Sequence, residues 1–161
     1  APKGSGFIVG PADALPLVVS HGASPEYGPA NRFHALHDWT GTHDPTAYLA
    51  VPAAIDTVAE LGGGWPAVIA RNHALAVEMR RRFGGPILAP DDAIGSMVSI
   101  PIHITGAALA VEKRLLEDGW EIPIVDTSRG TLIRLSAHLY NDATQVDALV
   151  AKLRSLGASV A

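Results

Sequence analysis

Thr131-Leu132-Ile133-Arg134-Leu135-Ser136 is an aliphatic run with one arginine set inside it, and the segments on either side of it decide the fold class. Short runs rich in branched and aliphatic residues read as strands. Upstream, Ser96-Met97-Val98-Ser99-Ile100-Pro101-Ile102 and Ile122-Pro123-Ile124-Val125 read as two more strands, with a helix from Ala107 to Glu117 closed by Gly119. Downstream, Val146, Leu149, Val150 and Leu153 share one helical face between Asp142 near the start and Gly157 at the end. A strand–helix–strand–strand–helix order predicts a two-layer α+β subdomain.

Toward the N-terminus, Gly84-Gly85-Pro86 ends a helix that Trp65-Pro66 opens and Phe83 completes. Its buried stripe is expected at Ile69, His73, Ala76, Met79 and Phe83, with Leu75 as an alternative member, and Arg80-Arg81-Arg82 reads as a solvated face. Gly62-Gly63-Gly64 stops the preceding helix, which carries Leu49, Pro52, Ala53, Ile55 and Leu61, and supplies a hinge. A long helix between glycine runs suits a connection between a large and a small domain. Gly6-Phe7-Ile8-Val9-Gly10 and Leu15-Pro16-Leu17-Val18-Val19-Ser20 read as a pair of hairpin strands, followed by a loop from His21 to Asn31.

Composition bounds the function. The 161 residues suffice for one core, and 48% hydrophobic against 17% charged residues describes a globular chain with surface to hide against another polypeptide. A net charge of −4 without a basic block argues against a general nucleic-acid binder. The absence of cysteine removes disulfides, thiolate nucleophiles and zinc–thiolate sites. No apolar run approaches the ~18 residues of a membrane span, so a soluble, cytoplasmic protein is expected.

The turn His37-Asp38-Trp39-Thr40-Gly41-Thr42-His43-Asp44-Pro45 leads into the apolar helix. Gly41 permits close backbone approach, Thr42 offers a hydroxyl and an N–H, Asp44 before Pro45 suits an N-cap, and a helix start favours an anion. This combination fits either a phosphate loop or a plain capping turn. His34, His37 and His43 with Asp38 and Asp44 have the density of a metal site but no recognised zinc spacing, and no metal is assigned. Arg32 could neutralise a phosphate or sit on the surface. His73, His103 and His138 read as satisfied structural histidines. Arg134, within an aliphatic segment, needs an anionic partner: a structural Asp or Glu, or a carboxylate ligand held by two parallel hydrogen bonds.

Three words, Ala1-Pro2-Lys3-Gly4-Ser5-Gly6-Phe7, Trp39-Thr40-Gly41-Thr42-His43-Asp44-Pro45-Thr46-Ala47 and Ile133-Arg134-Leu135-Ser136-Ala137-His138-Leu139-Tyr140-Asn141, together resemble the class V aminotransferase family, in its isopenicillin N epimerase-like branch. The resemblance implies a pyridoxal phosphate enzyme of fold-type I, and an α/β to α+β chain forming its C-terminal portion. Residues 1–64 would be the end of the large cofactor domain, 65–85 the connecting helix and 86–161 the small two-layer α+β domain. It implies that Arg134 binds the α-carboxylate of an amino-acid substrate, and that Gly41 and Thr42 bind the cofactor phosphate across a homodimer.

In the family, the lysine that forms the Schiff base lies a few residues before the Ala-Pro-Lys-Gly word. That places it upstream of Ala1, so no catalytic residue is assigned here and Lys3 reads as a loop residue. The chain alone is expected to be inactive, and to need the N-terminal portion of the same enzyme as its partner. Epimerisation at Cα is the reaction the resemblance favours. A C–S lyase, desulfurase-like or aminotransferase activity shares the framework, although a desulfurase relying on its own persulfide cysteine is disfavoured. A non-catalytic α+β binding or dimerisation module is the third reading.

Overall fold

The computed structural model describes residues 3–18, 32–38 and 41–161, the side chains of Pro16, Arg32, Ala35 and Leu36 excepted. The loop expected from His21 to Asn31, and the role raised for Arg32, lie outside what is described, as do Val19, Ser20, Trp39 and Thr40. The chain divides into two compact units, Ala1–Thr57 and Val58–Ala161.

The first unit contains α1 (Arg32–His37), the single-turn α2 (Thr46–Leu49) and the first half of α3 (Val51–Gly62). The expected hairpin is not formed. Residues 5–11 have no regular structure, with Phe7 and Val9 77% and 84% exposed, and Leu15–Leu17 is a 3-10 turn. Pro16 cannot donate to a ladder, and the Pro11 carbonyl instead gathers the N–H groups of Ala14 and Leu15 at 3.0 and 3.2 Å. The helix expected after Pro45 is also broken in two. Pro52 has no N–H for the Tyr48 carbonyl one turn back, so α3 starts anew at Val51.

The second unit carries the sheet. Its strands are β1 (Met97–His103), β2 (Ile124–Thr127), β3 (Gly130–Ser136) and β4 (Ser159–Val160), in the order β2-β3-β1-β4 with every pairing antiparallel. Along β1, Val98, Ile100 and Ile102 are buried while Met97, Ser99 and His103 face out, and along β3 Ile133 and Leu135 are buried while Arg134 and Ser136 face out. This alternation is that of a sheet with one covered face. Helices α4 (Trp65–Phe83), α5 (Ala108–Glu117) and α6 (Thr144–Ser155) supply the other half of the core, around the fully buried Ile100, Leu115, Ile133 and Leu149. The result is a two-layer mixed α and β unit.

Glycine bounds α4 at both ends, with Gly64 at φ +96° and Gly84 at φ +81°, a backbone region that side chains rarely occupy. Gly64 N–H donates to the Ala59 carbonyl at 2.7 Å and closes α3. Gly62 lies against Val68, where any Cβ would collide, so the turn between α3 and α4 is tight.

The buried stripe of α4 differs from the expected one. It runs through Val68, Asn72, Ala76, Met79 and Phe83, while Ile69 is 63% exposed. The seating of Val68 against Gly62 rotates the first half of the helix by about one residue. Nor is the Arg80-Arg81-Arg82 run a solvated face: Arg80 is only 9% exposed, donating to the Ala89 carbonyl at 2.8 Å and pairing with the Asp91 carboxylate. Arg81 shares Asp91 at 3.2 Å, and Arg82 reaches Glu78 and Asp147, each at 2.8 Å. The first two arginines fasten the 84–96 connection to α4, and the third ties α4 to α6. No helix among the described residues is long and apolar enough to cross a membrane.

Candidate functional site

A proline opens the site. Arg134 N–H donates to the Pro123 carbonyl at 3.1 Å, but Pro123 has no N–H to return, and the ladder between β2 and β3 ends there. Beyond that point the 119–122 segment leaves the edge of β3 free, and a cleft of about 380 Å³ opens between that segment, β3 and the start of α6. Trp120, Arg134, Tyr140 and Asn141 are among its lining residues.

Arg134 stands on the sheet face turned away from the core and is exposed. Of the two anionic partners expected for it, a structural Asp or Glu is not found among the described residues, because in this alternation only its neighbours Ile133 and Leu135 point inward. Its guanidinium makes no hydrogen bond or ion pair among the described residues. The site therefore offers an uncommitted planar cation, whose parallel N–H groups match a carboxylate.

The wall of the cleft is the connection from β3 to α6. Ala137 N–H donates to the Ser96 carbonyl at 2.7 Å, His138 N–H to Asn141 Oδ1 at 3.1 Å, and Asn141 N–H back to the His138 carbonyl at 3.0 Å. Asp142 and Gln145 then form a reciprocal cap: Asp142 Oδ1 accepts from the N–H groups of Thr144 and Gln145 at 2.8 and 3.3 Å, and Gln145 Oε1 accepts Asp142 N–H at 3.3 Å. Hydrogen bonds from the Thr144 hydroxyl and N–H hold the Asp142 carboxyl below its ordinary value.

Arg71, on α4, braces the same loop through its carbonyls. Sequence reading misses it, because its partners lie 67 to 70 residues away and no local pattern marks them. The ring of His138 stacks on Tyr140 at 4.8 Å and 29°. Its buried Nδ1 has no partner among the described residues, against the expectation of a satisfied histidine, whereas His73 Nδ1 donates to the Ile94 carbonyl at 2.8 Å as a structural histidine should.

Gly41 and Thr42 belong to the first unit and Arg134 to the second. Gly41 has φ +127°, a conformation that favours glycine, and Thr42 is exposed with no hydrogen bond to its hydroxyl among the described residues. His43 Nδ1–H donates to the Gly41 carbonyl at 2.8 Å, and Asp44 Oδ1 accepts Thr46 N–H at 2.9 Å. That bond holds the Asp44 carboxyl below its ordinary value. Asp44 thus caps α2, but α2 has only four residues, so the helix field expected behind the turn is that of a single turn. The other histidines of this region have local partners: His34 pairs with Asp38 at 2.8 Å, and His37 Nδ1–H donates to the Phe33 carbonyl at 2.8 Å.

The chain is 32% identical to an isopenicillin N epimerase of Amycolatopsis lactamdurans over 178 aligned positions, which cover 97% of this chain and 44% of that protein. A second isopenicillin N epimerase, of Streptomyces clavuligerus, is 32% identical over 72% of the chain and 30% of its own length. Both are of the class V aminotransferase family, and the chain is similar to their C-terminal portion. A putative L-cysteine desulfhydrase of Oryza sativa subsp. japonica also matches, 36% identical over 58% of the chain and 17% of its own length. No family model matches the chain. It spans less than half the length of these class V relatives, all of which bear the names of enzymes.

Proposed function

We propose that the chain is the C-terminal part of a pyridoxal phosphate enzyme of fold-type I acting at the Cα of an amino acid. In that reading, Arg134 receives the substrate α-carboxylate, and Gly41 and Thr42 contribute to the cofactor phosphate site of the neighbouring subunit in a homodimer. The observation that carries it is the uncommitted guanidinium of Arg134 at the cleft formed where Pro123 ends the ladder.

The Gly-Thr turn fits the cofactor as a supplement. Thr42 brings a hydroxyl that bonds to none of the described residues and Gly41 an open backbone, enough for one or two bonds to a phosphate ester whose charge is met elsewhere. When bound, the cofactor withdraws electrons from the Cα of the amino acid, so that a substituent there can leave as a cation. What these residues supply is orientation. Two parallel bonds from Arg134 fix the carboxylate and with it the direction of the bond that breaks, while Trp120 and Tyr140 furnish apolar walls beside it. None of these residues is assigned as the lysine that anchors the cofactor. Residues 1–64 would close the large domain, 65–85 connect, and 86–161 form the small domain.

Epimerisation is the favoured reaction, and the desulfhydrase relatives support desulfhydration of L-cysteine as the second reading. The two separate in one assay on the longer protein in deuterated water with pyridoxal phosphate. An epimerase inverts isopenicillin N with deuterium entering at Cα, whereas a desulfhydrase releases sulfide from L-cysteine. A protein that does neither and acquires no visible absorption from the cofactor refutes the proposal and returns the binding-module reading.

A further inference from the structure

Arg71 lies on the exposed flank of α4, and its guanidinium spans the loop that forms the cleft wall. Nη1 donates to the His138 carbonyl at 2.9 Å, and Nη2 donates to the carbonyls of Leu139 and Asn141 at 3.2 and 3.1 Å. A longer bond of 3.4 Å reaches Oδ1 of the buried Asn72. Three carbonyls from four consecutive residues thus converge on one cation. Dipoles gathered in this way repel one another unless a donor sits at their focus, and a planar guanidinium serves all three from a fixed fork, at less cost in ordering than an ammonium on a flexible stem.

The other fixings of the loop lie at its two ends, where Ala137 N–H meets the Ser96 carbonyl and Asp142 caps α6, or within the loop itself, between His138 and Asn141. Tyr140 is 79% exposed and its ring stacks on His138, itself part of the same loop. Asn141 bonds within the loop and to Gln145 at 3.1 Å. Neither residue is anchored in the core, so their places beside Arg134 follow from the backbone that Arg71 holds.

We propose that Arg71 is the positioning residue of this cleft: by gathering the His138, Leu139 and Asn141 carbonyls it sets Tyr140 and Asn141 beside Arg134, so that an amino-acid substrate meets a preformed wall. The proposal rests on the reading of Arg134 as the carboxylate site. Arg71 itself touches no substrate, both of its terminal nitrogens being committed to the loop and to Asn72.

The test compares Arg71→Met and Arg71→Lys with the unaltered longer protein, loaded with pyridoxal phosphate and assayed with L-cysteine and isopenicillin N. Backbone amide exchange at His138 and Asn141 is expected to quicken about tenfold or more in Arg71→Met, while the amides of Ile100 and Ile133 in the β1–β3 ladder keep their protection. KM is expected to rise about ten- to hundredfold with kcat nearly unchanged, the size of effect that slight misplacement of substrate contacts produces, with Arg71→Lys in between. Unchanged exchange in the loop overturns the proposal. Faster exchange with an unchanged KM also overturns it, because Arg71 would then brace the fold without serving the site. An unaltered protein that turns over neither amino acid removes the Arg134 reading, and the proposal with it; turnover by the unaltered protein with KM unmoved in both variants defeats this proposal alone.

Discussion

Replacing Arg134 by alanine should separate substrate binding from folding. The side chain is exposed and makes no bond to the described residues, so its loss should move the unfolding free energy by no more than about 0.5 kcal/mol, the range of an unengaged surface substitution. A substrate carboxylate would meet it through two charge-assisted bonds. At ~1.5 kcal/mol each, the low end for bonds to charged groups, the loss is ~3 kcal/mol, and at ~1.4 kcal/mol per decade this is about a hundredfold in affinity. Lysine at the same position keeps the charge but only one directed bond, and should recover about one decade. The assay is steady-state kinetics of the longer protein on L-cysteine and isopenicillin N, with cofactor absorption and a thermal melt measured on the same samples. An unchanged KM in Arg134→Ala, with the cofactor bound and the melt unmoved, would refute the assignment of the guanidinium to the substrate.

The core carries a second expectation. Ile133 is fully buried opposite Ile100, so Ile133→Ala should cost about 2–5 kcal/mol, read as a lowered urea midpoint. Gly62→Ala sets two effects against each other: alanine gains up to ~1 kcal/mol in helix propensity, but its methyl group runs into the stiff, buried Val68, at about 1–3 kcal/mol for overpacking. Net destabilisation is expected in chemical denaturation, and a more stable variant would show that the α3–α4 turn is looser than described.

Acid should weaken the fold through Asp44, Asp118 and Asp142. Each carboxyl is held below its ordinary value, Asp118 chiefly by the Lys152 ammonium at 2.7 Å. A depressed value means that the ionised form favours folding; this contribution is complete above the ordinary carboxylate value of about 4 and is lost as pH falls through the lower, folded one. Asp142→Asn keeps an acceptor at the α6 cap and should flatten its share of the melting-temperature decline between about pH 5 and pH 2, whereas an unaltered slope would contradict the cap.

The helix Trp65–Phe83 is legible to its ends because glycine marks both of them, and each adopts a positive φ there. The face it buries is not legible, since Val68 and Ile69 are equally apolar and only the missing side chain of Gly62 decides between them. Strands β1 and β3 follow from their aliphatic runs and β2 only from the second half of its own, starting at Ile124, whereas Phe7-Ile8-Val9 has the same composition and forms no strand. Composition reports what a segment could bury; a strand also needs a neighbour with which to pair. That Arg134 is unusual is visible in the sequence, but that it faces out emerges only with the strand alternation. The resemblance to the class V relatives is legible in three short words, and the brace by Arg71 is not, because it joins α4 to a loop through backbone carbonyls that carry no side-chain signature.

The most direct measurement is a crystal structure of the longer protein carrying pyridoxal phosphate and an unreactive amino-acid analogue. The analogue's carboxylate should lie within hydrogen-bond distance of both terminal nitrogens of Arg134, with Thr42 of the neighbouring subunit donating to the cofactor phosphate. A carboxylate held by other groups, with Arg134 facing solvent, would contradict the account.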